Sequence, residues 1–159
     1  SVFGIAVCII AQAASAVVLS KHALAFLPAL PGSAPARSVH LMCSYWSFMF
    51  AFAHAGLQVK SVVRRIGRTA PASRALLWSA RIVVAAVSAF GAASFVQIGL
   101  PAYLTGQAQF AAGDPNVVFA CARWASVAVL VAAAFHCLRK ALESFHEPGD
   151  SNHLSPDSP

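Results

Sequence analysis

The residues of this chain best suited to redox or metal chemistry are four histidines, His22, His40, His54 and His136. His40 and His54 bracket the stretch HLMCSYWSFMFAFAH, whose thirteen inner residues carry no formal charge and include five aromatics, Tyr45, Trp46, Phe48, Phe50 and Phe52. On a helix, fourteen residues turn through about 1400°, roughly 40° short of a whole number of turns, and rise about 21 Å. The two imidazoles therefore share one stripe, set apart by most of the depth of a bilayer core of about 30 Å. Neutral imidazole is an axial ligand of haem iron, and a flat apolar macrocycle fits between helices. The spacing suits two stacked haems, one towards each membrane surface. Ser47 lies seven residues from each histidine, a small residue on the same face. The aromatic side chains are expected to line the pocket walls.

A closed electron-transfer site needs a second ligand for each iron. Counted from the outer surface, His54 and His136 lie at similar depths and form an expected inner pair. His22 closes the first apolar run on the side of His40, and these two form an expected outer pair. Arg123 and Arg81 are candidates to meet the haem propionates. The competing reading gives these histidines hydrogen-bonded packing or proton contacts and lets the arginines snorkel. Acid/base chemistry has little to work with: of five Asp and Glu, all but Asp114 stand at or beyond Glu143. Cys8, Cys43, Cys121 and Cys137 all sit in apolar runs and read as small packing residues. No Cys-x-x-Cys-His occurs, so covalent c-type haem is not supported.

The elements that must position these residues are membrane helices. The chain has 159 residues, 58% hydrophobic and 10% charged, with a mean hydropathy of +0.69; a soluble domain carries roughly 25% charged residues. Four apolar runs serve as spans: Val2 to Leu19, Val39 to Val59, Ala75 to Leu100 and Val117 to Leu138. A spanning helix needs about 20 residues, and no run alternates with the period of a strand. FLPALPGSAPAR (26–37) is expected to break any helix, GRTAPASR (67–74) reads as a basic turn, and 99–116 reads as a loop in which Asn116 can cap the fourth span. Residues 1–142 form the expected membrane domain, with an N-terminus that reads as truncated, and 143–159 an expected disordered polar tail. The formal charge of +6 gathers in the loop of Lys60, Arg64, Arg65, Arg68 and Arg74. The positive-inside rule explains that loop better than nucleic acid does, and it places both termini in the cytoplasm.

The segments VVLSKHALAFLP (17–28) and ARSVHLMCSYWSFMFAFAHAGLQ (36–58) resemble the flavinylation-associated cytochrome family, and SAFGAASFVQIGLPAYLTGQAQF (88–110) and the fourth span do so more loosely. His22, His40 and His54 match the histidines of that family. Gln58 stands where many members place another His, and Ser47 where they place Gly. The resemblance implies an all-α, polytopic four-helix bundle of cytochrome b type in the bacterial cytoplasmic membrane. It implies one or two haem b groups, and electron transfer to or from an extracytoplasmic flavoprotein or a quinone-linked redox partner, within a possible hetero-oligomer. No flavin-attachment motif occurs in the chain, so a covalent flavin would belong to a partner. The alternative is a cofactor-free membrane scaffold or small transporter subunit.

Overall fold

The computed structural model describes residues 2–19, 33–67, 73–108 and 115–146. These residues are helical, with no strand among them: α1 (Val2–Leu19), α2 (Ser33–Gly67), α3 (Arg74–Gln97), α4 (Leu100–Leu104) and α5 (Val117–His146). α1 has the bounds its apolar run predicts. α2 starts inside the stretch expected to break any helix. Pro35 falls in its first turn, where a backbone N–H has no intrahelical acceptor to lose. Ser73 caps α3, its hydroxyl accepting from the Leu76 N–H at 3.3 Å. α3 stops at Gln97, short of the expected Leu100, because Gly99 turns the chain with φ +72°. Pro101 then opens α4, a short helix in what reads as a loop; its fixed φ suits a first turn. Asn116 caps α5 as expected, accepting from the Phe119 N–H at 3.1 Å. α5 continues to His146, past the expected domain boundary at 142; the tail from 147 onward lies outside the described residues.

The four long helices stand in a row in the order α1, α2, α5, α3, and α4 packs on α2 and α3. Among the described residues the backbone of α1 comes close to α2 alone, and those of α2 and α3 do not approach each other closely. The expected all-α chain is present, and its long helices pack side by side as a row. α1 and α2 are antiparallel, with Ser15 beside His40 and Gly4 beside Phe50. α2 and α5 run parallel: Tyr45 stacks on Trp124, Gly56 meets Ala132, and Lys60 pairs with Glu143. α5 and α3 are antiparallel, with Gly91 beside Ser126 and Gln97 bonded to Arg123. Two glycines set the inner contacts. A Cβ on Gly56 would lie 2.2 Å from the Ala132 carbonyl oxygen, and one on Gly91 2.3 Å from that of Ser126. Small residues let helices approach this closely where lipid removes the hydrophobic drive to pack.

The buried core is small: Ala53, Leu100, Val127 and Val131, ringed by partly buried side chains such as Phe48, Phe95 and Trp124. Much of the apolar surface faces outward, with Phe3 82%, Val96 72% and Val118 79% exposed. In water, exposed apolar area of this extent marks an interaction surface; on helices, whose backbone bonds are satisfied internally, it suits lipid. α1, α3 and the Val117–Phe145 stretch of α5 are long and apolar enough to cross a membrane. α2, expected as the second span, is not among these three. Its histidines, serines, Tyr45 and Trp46 lower its hydropathy, and it is covered by a helix on each side.

Candidate functional site

His40 is held by α1. Its Nδ1 lies 3.2 Å from the Gln12 carbonyl oxygen and 3.1 Å from Ser15 Oγ. The Ser15 hydroxyl itself donates to the Gln12 carbonyl at 2.9 Å. A carbonyl can only accept, so a hydrogen bond to it is donated by Nδ1–H, and in the neutral ring with that tautomer the lone pair is on Nε2. Gln12 adds a second tie, its Nε2 donating to Ser44 Oγ at 2.7 Å, while Ser44 donates to the His40 carbonyl at 2.7 Å. Gln12 is the one side-chain amide in the apolar run of α1.

The rest of the predicted set is dispersed. His54 shares the stripe of His40. Gly56 faces Ala132 of α5, and two residues turn a helix through about 200°, so His54 stands on the side of α2 away from α5. His136 lies one turn beyond Ala132, on the α5 face that looks at α2. It lines a surface cleft with Lys60, Arg139, Lys140 and Glu143. The pairing of Gly56 with Ala132 also sets His54 and His136 about six residues apart in register, roughly 9 Å of helix. The fold therefore does not bring these two rings face to face. His22 lies outside the described residues, and so does the outer pair it would make with His40. Ser47, between the two α2 histidines, has a buried hydroxyl with no hydrogen-bond partner among the described residues.

Arg123 is committed to α3 and to its own helix. Its Nη2 donates to Gln97 Oε1 at 3.2 Å, and its guanidinium lies 5.5 Å from the Phe119 ring centre. Arg81 is exposed near the start of α3, 5.4 Å over the Trp78 ring. The aromatics of this stretch pack on one another and on α1, α4 and α5, with Phe50 beside Gly4. Tyr45 lies 4.5 Å from Tyr103 and 5.6 Å from Trp124 between ring centres. Phe48 lies 5.5 Å from Trp124 and 4.8 Å from Phe52, and Trp46 donates its indole N–H to the Leu104 carbonyl at 3.0 Å. Tyr45, Trp46 and Phe48 fill the α2–α4–α5 contact.

Among the described residues no three His, Cys, Asp or Glu side chains gather as a metal site; a haem iron asks the protein for only one or two axial ligands. No family model, curated protein or solved structure matches the chain.

Proposed function

We propose that this chain is a membrane-embedded b-type haem electron-transfer subunit. The observation that carries the reading is the state of His40. Its Nδ1 lies against the Gln12 carbonyl and the Ser15 hydroxyl, an arrangement that in the neutral Nδ1–H ring keeps the lone pair on Nε2 and holds the ring in place. A backbone carbonyl or carboxylate on the far ring nitrogen is the usual companion of a metal-ligating histidine; it fixes the tautomer and strengthens the ligand. His40 would hold one haem through Nε2, and His54, lower on the same stripe, a second. His136 and His22 are the remaining candidate ligands. The group supplies one-electron exchange. The protein's part is to aim the lone pair, to hold the ring against rotation and to keep water from the site with apolar helices. An extracytoplasmic flavoprotein or a quinone-linked enzyme is the partner class this reading calls for.

The bonds to α1 equally describe a helix clamp, and they favour a second reading, a cofactor-free scaffold in which His40 ties α1 to α2. Protein purified from haem-replete cells separates the two. A b-type α band in the dithionite-reduced spectrum, lost in His40→Ala while the variant still inserts, supports the first. A colourless wild type, or a band untouched by both His40→Ala and His54→Ala, rejects it.

A further inference from the structure

Where α2 and α5 leave their apolar stretch, two depressions meet. One is a polar cleft of about 260 Å³ lined by Lys60, His136, Arg139, Lys140 and Glu143. The other is an apolar groove of about 570 Å³ along Leu57, Phe135, Leu138 and Leu142, and it shares Arg139 and Glu143 with the cleft. Phe135, Leu138 and Leu142 are 37%, 52% and 60% exposed.

From this continuity we propose that the α2–α5 edge binds an anionic phospholipid, with its phosphate in the cleft and an acyl chain along the groove. Charge complementarity picks the headgroup. Three cations face one carboxylate, and that carboxylate is already bound to Lys60 at 2.8 Å and Arg139 at 2.9 Å. Lys140 has no ion pair among the described residues and is the cation left for a phosphate. His136 also lines the cleft, and its Nδ1 is buried with no hydrogen-bond partner among the described residues. The position suits lipid too, because basic pockets between membrane helices recur at headgroup level, and Phe135 and Leu138 of the groove lie on the apolar side of Lys140 along α5. This assignment stands on the two depressions alone and does not need a haem.

The test is native mass spectrometry of the intact chain in detergent, titrated with phosphatidylglycerol, with phosphatidylcholine of the same acyl chains, and with inorganic phosphate. Wild type should retain phosphatidylglycerol in preference to phosphatidylcholine. Lys140→Gln should weaken phosphatidylglycerol binding about fivefold, the worth of one interfacial cation. Arg74→Gln, which removes a cation at the start of α3, should leave it unchanged. Leu138→Ser should shorten retention of both lipids. Equal retention of the two lipids by wild type, equal loss in Lys140→Gln and Arg74→Gln, or binding of inorganic phosphate as tight as that of the lipid would each overturn the proposal.

Discussion

At the scale of single residues, the proton on His40 is the most informative detail. A hydrogen bond to the Gln12 carbonyl selects the Nδ1–H tautomer whether or not the ring binds a metal. A nitrogen-15 spectrum of the histidine side chains should show that tautomer for His40, and it should persist in Ser15→Ala, where the carbonyl remains. Loss of the Ser15 contact should cost about 1 kcal/mol in thermal or denaturant unfolding, the worth of an ordinary hydrogen bond. An Nε2–H tautomer in wild type would show that the α1 contact does not set the ring. The stripe of His40, Ser47 and His54 was readable from spacing alone, because helical periodicity is a local property. The partners of those residues were not. Gln12 and Ser15 reach His40 across more than twenty residues of chain, and only the α1–α2 register reveals it.

At the scale of elements, helix existence was legible and helix arrangement was not. Val2–Leu19 and the Asn116 cap follow directly from apolar run length and capping chemistry. α4 was missed because Gly99 and Pro101 carry the signature of a loop, and the same two residues end one helix and begin another. Depth counted along the apolar runs says nothing about which way the His54 and His136 rings face, and the Gly56–Ala132 contact offsets the two by about six residues. Gly56 supplies that orientation, and it yields a contrast between two substitutions. Gly56→Ala pushes a methyl into the backbone of Ala132, and overpacking of this kind costs about 1–3 kcal/mol. Gly4→Ala meets only the Phe50 ring, at 3.1 Å, which can rotate away. Thermal unfolding in detergent should therefore fall clearly for Gly56→Ala and little for Gly4→Ala. Equal effects would contradict the close α2–α5 contact.

At the scale of the whole molecule, the outward apolar faces decide the solvent. Val83, midway along α3, is 59% exposed. On a water-soluble protein Val83→Asp would change stability by no more than about 0.5 kcal/mol. At the centre of a membrane helix an Asp costs about 2.5–3.5 kcal/mol on insertion scales. The fraction of chain recovered as integral membrane protein should fall sharply for Val83→Asp, and an unchanged fraction would place α3 in water. The row of helices has a further electrical consequence. Its two inner members, α2 and α5, point the same way, so their peptide dipoles lie side by side with like ends together, an arrangement that is repulsive in a medium of low polarisability. α1 and α3 flank them in the opposite sense and return part of the field. At one rim the like negative ends of α2 and α5 lie together, with the positive ends of α1 and α3 on either flank. Lys60, Arg139 and Lys140 stand near that rim, with Arg139 of α5 donating to the Leu57 carbonyl of α2, so the cations that draw in an anionic headgroup also counter the mutual repulsion of the two helices they join.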